Sequence, residues 1–195
     1  MVNPLTLPGL TLRVATSADT EFLFQVYAST RLEELAVTGW NAEQIHAFLR
    51  SQFAMQDKQY RLLYPDARFE VVVLDDPSTG RTMDPFLDNP GGLPVGRIYV
   101  NSDAQALHVL DIALLPAFRR RGLGTALLNA VQAEAAASGR RVGLYVERNN
   151  PALGLYRALG FESVDPDHAV YLQLHWHAPG PPTASVHGDA LSLPA

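Results

Sequence analysis

An apolar strand, a short turn containing two glycines and a helix follow one another over residues 107–137, and this succession most constrains the fold. The predicted strand runs from Leu107 to Leu115 and is closed by Pro116, while the segment after Gly122 is rich in alanine and leucine with helical spacing of its apolar residues. The first backbone N–H groups of such a helix have no partner within it and lie at the positive end of its dipole. The pattern therefore predicts an anion site at the turn.

The residues of the turn indicate which anion binds there. The turn reads Arg119-Arg120-Arg121-Gly122-Leu123-Gly124-Thr125. Glycine lets the main chain approach a bulky phosphate, and the arginines add long-range attraction. A Walker loop is excluded because its G-x-x-x-x-G-K-[ST] pattern is absent, and a dinucleotide fingerprint is excluded because no third glycine follows in register. We therefore expect a phosphorylated cofactor of another class.

A second strand and helix follow further along the chain. Residues 142–146 predict a strand, and the helix after it can be capped by Asn149 or Asn150, with Pro151 at or near its first position. Gly160 is placed to end this helix.

These two blocks together resemble the GNAT superfamily of N-acetyltransferases. The turn fits the pattern [R/Q]-x-x-G-x-[G/A], and the second block fits N-x-x-A-x-x-L-Y-x-x-x-G-F. The matching positions are Arg119, Gly122 and Gly124 in the first pattern, and Asn149, Ala152, Leu155, Tyr156, Gly160 and Phe161 in the second. The resemblance covers roughly residues 10 to 176 in the order of strands and helices, and it is most specific over residues 107 to 161.

The resemblance implies an α/β (α+β) GNAT fold: a mixed, twisted sheet of six to seven strands, splayed between the fourth and fifth strands and flanked by about four helices. We expect a single domain over residues 1–177 and a disordered tail over residues 178–195, where proline and small polar residues replace core-forming ones.

Hydrophobic periodicity places the elements along this domain. Strands are predicted over residues 10–15, 69–74, 95–100, 107–114, 142–146, 161–164 and 169–175. A first helix begins at residues 16–19 and carries an apolar stripe to Leu35, and a second begins with a capping-box pattern at residues 41–44 and ends near Tyr64. Residues 75–92 combine prolines and glycines with few apolar residues, which predicts a long mobile loop or hairpin connection.

Acetyl-CoA is the cofactor that the resemblance implies. Its pantetheine arm is expected along Ile112, Ala113 and Leu114, with a main-chain N–H near Ile112 or Ala113 as the oxyanion donor. The expected cofactor-binding residues are these three together with Arg119, Arg120, Arg121, Gly122, Leu123, Gly124, Thr125, Asn149, Ala152 and Tyr156. The implied reaction is transfer of the acetyl group to a primary amine of a small molecule by direct attack in a ternary complex.

Three residues are the catalytic candidates. Tyr156 lies at the position of the family's tyrosine and is expected to donate the proton to the thiolate, although it can also serve to pack its helix on the sheet. His108 and Asp111 lie on the fourth strand and are candidates for removing the proton from the amine. Alternatively, His108 is structural, and Asp111 anchors the substrate amine, acts through water or marks a bulge.

The resemblance implies that substrate recognition falls to the first two helices, the loop between them and the last pair of strands. Glu33 and Glu34 beside Trp40 would suit a cationic amine through charge and an aromatic face, and Glu147 lies near the expected reaction site. The alternative is a solvated helix end with a packed tryptophan. Family members that acetylate peptides and carry L-E-V in the fifth strand have their base there, whereas this chain has Leu144, which argues against peptide N-termini or ribosomal proteins as substrates.

Composition sets further limits. A formal net charge of −5 argues against nucleic-acid binding, and the absence of cysteine excludes disulfides, a thiolate zinc site and a cysteine nucleophile. We expect no metal, and no membrane partner, since neither an apolar run of spanning length nor a signal-peptide pattern is present. The predicted protein is therefore a cytoplasmic enzyme, with a homodimer compatible with the resemblance. Acetylation of protein lysines or N-termini, and a non-catalytic acyl-CoA-binding module, are the alternative functions.

Overall fold

Seven strands form one sheet in the computed structural model, which describes residues 9–75, 92–164 and 170–179. The strands are β1 (Leu10–Val14), β2 (Arg68–Asp75), β3 (Gly92–Ser102), β4 (Ala106–Leu114), β5 (Arg141–Glu147), β6 (Glu162–Ser163) and β7 (Tyr171–Trp176). Their order in the sheet is β1-β2-β3-β4-β5-β7-β6, and every pair is antiparallel except β4–β5. The mixed α/β fold predicted from the sequence is confirmed.

Helices cover both faces of this sheet. They are α1 (Thr20–Ala28), α2 (Leu32–Leu35), α3 (Ala42–Leu63), α4 (Leu123–Ala137) and α5 (Leu153–Ala158), and two short 3₁₀ turns occupy Ser17–Asp19 and Pro116–Phe118. On β2, Val72 packs into the core beneath α4 and α5, whereas Val71 and Val73 pack with α1 and α3. Because both faces are covered, β2 is apolar at consecutive positions and does not alternate.

The first predicted helix is divided into two, which raises the number of helices above the predicted four. The hydroxyl of Ser29 donates to the carbonyl of Val26, and that of Thr30 donates to the carbonyl of Tyr27, both at 2.7 Å. Such side chains compete for the carbonyls that a continuing helix would use. The chain therefore turns between α1 and α2, although the apolar stripe continues to Leu35.

The helix α5 ends as predicted but begins later. Gly160 has φ of +82°, and Phe161 N–H donates to the carbonyl of Tyr156 at 3.0 Å, which is the hydrogen bond of a Schellman cap. At the other end, Asn150 Oδ1 accepts from Ala152 N–H at 2.8 Å, so a side-chain-bonded turn precedes the first helical residue.

The splay between β4 and β5 is the feature that positions the site. Parallel pairing runs from Ala106 opposite Arg141 only to Val109 opposite Leu144, although β4 continues to Leu114. The two strands therefore separate beyond Val109, and a wedge opens between them.

A bulge in β4 lies where the wedge begins. Val100 pairs with Val109 and Tyr99 pairs with Asp111, so Leu110 is an extra residue on β4. Beyond the bulge, the N–H of Leu115 donates to the carbonyl of Val95 across the β3–β4 ladder at 2.9 Å. Main-chain groups in an antiparallel ladder alternate in direction, so those of residues 112 and 114 face the wedge.

Some predicted segments lie outside the described residues. They are residues 76–91 of the predicted loop, residues 165–169 between the last two strands, and residues 180–195 of the predicted tail. In the described part of the chain, none of the helices combines the length and hydropathy that a membrane crossing requires.

Candidate active site

Two adjoining cavities occupy the wedge between β4 and β5. The loop-side cavity, of about 580 Å³, lies against the arginine and glycine turn, and the helix-side cavity, of about 330 Å³, lies against α1, α2 and α3. Residues lining both include Thr30, Glu34, Ile112, Glu147 and Tyr156. A group bound on one side can therefore meet a group bound on the other.

The turn that borders the loop-side cavity has an unusual backbone. Arg120 has φ of +60° and Gly122 has φ of +80°, so two residues close together adopt the left-handed region. The first bond of the α4 ladder runs from Ala126 N–H to Gly122 C=O at 2.9 Å. The amides of Leu123, Gly124 and Thr125 accordingly precede the ladder, at the positive end of the helix. These are the amides that the predicted anion site would use.

Gly124 leaves space on this surface for a large ligand. It lines the loop-side cavity, and a Cβ built there would come no closer than 3.5 Å to its nearest neighbour, Leu155 Cδ2. Thr125, Asn149 and Ala152 line the same cavity.

The arginines of the turn point to different partners. Arg119 donates from Nε to the carbonyl of Leu114 and from Nη2 to the carbonyl and the hydroxyl of Ser29. Arg119 and Arg120 both line the loop-side cavity, whereas Arg121 lies over the ring of Phe118 at 5.4 Å. Leu123, also expected at the cofactor, packs against the core. Arg121 and Leu123 are not among the residues that line the two cavities.

Tyr156 lies at the junction of the two cavities. Its side chain is buried, and its ring meets that of Phe161 edge to face at 5.9 Å between centroids. Burial raises the pKa of the phenol to about 12, and the negative charge of Asp111 acts in the same direction. The phenol is therefore protonated at neutral pH and can act as a proton donor.

Asp111 lies in the helix-side cavity and is held by an arginine that the sequence analysis did not identify. Arg97, on β3, is only 2% exposed and donates to both carboxylate oxygens, at 2.8 Å from Nη2 and 3.2 Å from Nε. Nη2 also donates to Gln56 Oε1 at 3.3 Å. The guanidinium lies 5.2 Å from the ring centroid of Tyr99. The ion pair with Asp111 stabilises the buried guanidinium of Arg97, because burying this charge without a partner would cost free energy.

The bulge beside Asp111 is fixed from α3. The hydroxyl of Tyr60 donates to the carbonyl of Leu110 at 3.1 Å, and burial raises the pKa of this phenol to about 12. One signal in the sequence could have identified Arg97: it is a lone charge in an apolar strand, as Asp111 is in the next. Neither pattern shows that the register makes them diagonal neighbours, with Arg97 opposite Ala113 and Asp111 opposite Tyr99.

Two glutamates and an arginine form a charged wall at the entrance to the helix-side cavity. Arg31 Nη1 lies 3.1 Å from Glu34 and 3.8 Å from Glu147, which joins the segment around α2 to the end of β5. Glu147 and Glu34 line both cavities.

Three other predicted residues lie apart from this wall. Glu33 and Trp40 are exposed and are not among the lining residues, and Trp40 contacts Phe48 edge to face. His108 is likewise not among them; its Nε2 lies 2.8 Å from Asp103 Oδ2, near the start of β4. Among the described residues, no group of three or more histidine, aspartate or glutamate side chains is arranged to hold a metal ion.

The known proteins that this chain matches include acetyltransferases. Residues 86–163 match a family model described as an acetyltransferase (GNAT) domain. An N-alpha-acetyltransferase of Sulfurisphaera tokodaii is 42% identical over 60 residues, which are 29% of this chain and 36% of that protein. The match thus spans little more than a third of the relative's length.

Solved structures share the fold. A PaiA N-acetyltransferase from Thermoplasma acidophilum in complex with coenzyme A has a TM-score of 0.58 and 19% identity, covering 87% of this chain and 99% of its own. An acetyltransferase from Thermus thermophilus has a TM-score of 0.58 and 20% identity, covering 90% of this chain and 100% of its own. At this level of identity the likeness concerns the fold.

Proposed function

The chain carries an acetyltransferase domain of the GNAT family, and from this premise we propose that it is an acetyl-CoA-dependent N-acetyltransferase that acts on a primary amine of a small molecule. The observation that carries the proposal is the position of Tyr156. Its protonated phenol lies where the loop-side and helix-side cavities meet, and Ile112, whose main chain faces the wedge, lines the same two cavities.

The loop-side cavity fits coenzyme A. Phosphate groups would be held by the amides of residues 123–125 and by Arg120, and the pantetheine arm by the wedge-facing main chain of Ile112 and Leu114. Bound acetyl-CoA supplies an activated acetyl group. The fold relative from Thermoplasma acidophilum, which was solved with coenzyme A, supports this assignment.

The protein's own groups can then assist acetyl transfer in two ways. The N–H of Ile112 faces the wedge and is proposed to donate to the thioester carbonyl oxygen, a role typically worth about 2.7–4 kcal/mol. The Tyr156 hydroxyl can supply a proton to sulfur as the thiol leaves. Held side by side, the amine and the thioester react directly, so no nucleophilic residue is required.

Proton removal from the amine is assigned to Glu147 rather than to His108. Glu147 lines both cavities, its side chain is 32% exposed, and its ion pair with Arg31 is long at 3.8 Å, which leaves it able to accept a proton directly or through water. Asp111 has both oxygens bonded to Arg97, so we assign it to attracting and orienting the ammonium form of the acceptor.

The size of the helix-side cavity and its charged wall favour a compact acceptor. The Arg31–Glu147 pair bridges the helices and the sheet, and a peptide would have to displace it. The lining carboxylates Glu34, Asp111 and Glu147 outnumber the lining arginines Arg31 and Arg97, so the cavity carries an excess of negative charge that suits a cation.

N-terminal acetylation of proteins is the second candidate. It is favoured by one observation, the relative named as an N-alpha-acetyltransferase, which is 42% identical over 60 residues. Leu144, at the position where a peptide-acetylating member would carry its glutamate, is buried and argues against this alternative.

The test is a release assay for free CoA with the purified chain, acetyl-CoA and two panels of acceptors. One panel contains small primary amines of different charge, and the other contains peptides with free N-termini or internal lysines. We expect turnover with small amines and little with peptides. Preference for peptides would support the second candidate, and cofactor binding without turnover on either panel would support a non-catalytic acyl-CoA-binding module.

Glu147→Gln and Glu33→Gln form a matched pair for the same assay. Both remove one negative charge, but only Glu147 lines the cavities. We expect Glu147→Gln to lower kcat by roughly 100-fold, the usual size of a general-base contribution, and Glu33→Gln to leave it unchanged. Equal effects would show that overall charge matters and that Glu147 has no specific role.

A further inference from the structure

We propose that Arg119 is a positioning residue that transmits occupancy of the loop-side cavity to the segment between α1 and α2. The proposal rests on the proposed function, because it takes coenzyme A as the ligand of the loop. Arg119, the first residue of the turn motif, would then position the segment on the acceptor side, while the residues after it hold the phosphate.

The contacts of Arg119 connect three elements. Its main chain belongs to the turn before α4, its Nε donates to the carbonyl of Leu114 at the end of β4, at 2.8 Å, and its Nη2 donates to Ser29. The two bonds to Ser29, one to the carbonyl and one to the hydroxyl, are each 3.1 Å and join residues 90 positions apart. Arg119 also lines the loop-side cavity, so it borders both the proposed cofactor site and the segment that follows α1.

Ser29 is the C-terminal cap of α1, where a positive charge complements the helix dipole. The residues that follow it form the wall of the acceptor side. Thr30 and Glu34 line both cavities, and Arg31 reaches Glu147 across the entrance. Arg119 therefore holds the base of the segment that carries this wall.

The link between ligand and wall follows from the order of residues in the turn. A phosphate bound by the amides after Arg119 would restrict the main chain from which this side chain extends. The contact with Leu114 fixes the side chain along its length, so restriction at the turn is passed to Ser29. Because coupling between two sites is reciprocal, an acceptor that orders the same segment would in turn favour cofactor binding.

The neighbouring arginines supply the controls. Arg121 carries the same charge two residues away, lies over Phe118 and is not among the residues that line the cavities. Arg121→Gln thus removes one positive charge from the turn without touching Ser29 or Leu114. Ser29→Ala keeps the carbonyl that accepts from Arg119 and removes the hydroxyl, which both accepts from Arg119 and donates to the carbonyl of Val26.

The experiment is hydrogen–deuterium exchange of the full chain with and without coenzyme A, with calorimetric titration of each variant. In the wild type we expect coenzyme A to slow exchange of residues 29–36 by about fivefold, the size of effect that one or two hydrogen bonds produce. In Arg119→Gln we expect coenzyme A still to bind, within a few-fold of wild type, but this protection to disappear. Arg121→Gln should retain the protection, and Ser29→Ala should retain part of it.

The outcomes separate this inference from the proposed function. If the wild type does not bind coenzyme A, the proposed function fails and the coupling loses its premise. Two results would overturn only the coupling. In the first, the wild type binds coenzyme A but residues 29–36 are not protected; in the second, Arg119→Gln and Ser29→Ala both keep the full protection of the wild type. Loss of coenzyme A binding in Arg119→Gln, with Ser29→Ala unchanged, would overturn it by making Arg119 a direct ligand.

Discussion

At the scale of single residues, one hydroxyl carries the proposed proton transfer. Tyr156→Phe keeps the ring that packs edge to face on Phe161 and removes only the donor. We expect kcat to fall roughly 100-fold with the best small amine, while the calorimetric affinity for acetyl-CoA stays within a few-fold. Tyr64→Phe, outside both cavities, should match the wild type. An unchanged rate in Tyr156→Phe would assign proton donation to water or to another residue.

Gly124 offers a second test at this scale, now of the phosphate site. Gly124→Asp adds bulk and a negative charge where the phosphate is proposed to lie, so calorimetry should detect no binding of coenzyme A. Gly124→Ala is the control, because its Cβ would make only an ordinary contact with Leu155 at 3.5 Å. Binding should survive in the alanine variant, and affinity retained in the aspartate variant would exclude the turn as the phosphate site.

Some of the predicted site residues line the cavities, and there is a physical reason why a sequence pattern can identify them. Gly122, Gly124 and Tyr156 belong to local patterns, in which a short segment determines its own backbone, and all three line the loop-side cavity. Asp111 was identified as an interruption of an apolar strand, but its partner Arg97 was not. Their pairing depends on the register between β3 and β4, which the bulge at Leu110 shifts by one residue.

On the acceptor side, the sequence could not distinguish neighbouring residues. Glu33 and Glu34 are adjacent on one helical turn, yet only Glu34 lines the cavities. Which of the two faces the site depends on where α1 ends and α2 begins, and that boundary is set by the hydroxyls of Ser29 and Thr30. The helical stripe that predicted one continuous helix does not contain this information.

At the scale of elements, the start of α1 depends on a buried carboxylate. Asp19 Oδ2 accepts from the N–H and hydroxyl of Thr16, and both Asp19 oxygens accept from Arg13, at 2.6 and 2.8 Å. The hydrogen bond from Arg13 is the largest cause that lowers the pKa of this carboxyl, from 3.8 to about 2. The predicted helix start at residues 16–19 is thus confirmed, and it also ties α1 to β1.

This carboxylate predicts how stability varies with pH. A lowered folded-state pKa means that the contribution of Asp19 is fully present above the unfolded value of 3.8 and is lost as the pH falls toward 2. Asp19→Asn should therefore lower the free energy of unfolding by about 2 kcal/mol at pH 7. Urea titrations should show this difference shrinking below pH 3.8.

The matched control is Glu21→Gln in the same part of the chain. Glu21 pairs with Arg50 at 2.8 Å, but its side chain is 60% exposed, and exposed pairs contribute at most about 1 kcal/mol. Two results would contradict the role of Asp19. One is a loss of unfolding free energy in Glu21→Gln as large as that in Asp19→Asn, and the other is an effect of Asp19→Asn that stays the same at low pH.

At the scale of the whole molecule, hydrophobic periodicity predicted the order of strands and helices, and the family resemblance predicted the sheet that they form. The splay was predicted from the family resemblance, and it appears here as a parallel pairing that stops at Val109 and Leu144. The extent of the domain stays a prediction: residues 1–177 as the folded unit and 178–195 as a tail. Residues 180–195 lie outside the described part of the chain.

Thermal unfolding tests the domain boundary and the cofactor together. Coenzyme A at about 100 times its Kd should stabilise the folded chain by about 2.7 kcal/mol, which for a domain of this size raises Tm by roughly 5–10 °C. A variant that lacks residues 178–195 should melt at the same temperature as the full chain and show the same increase. Gly124→Asp should melt close to the wild type but show no increase, because it is proposed to lose the ligand and not the fold. If the shortened chain melts at a lower temperature but keeps the rise in Tm with coenzyme A, the tail stabilises the domain without contributing to the site. If the shortened chain loses this rise in Tm, the tail contributes to cofactor binding and the predicted boundary is wrong.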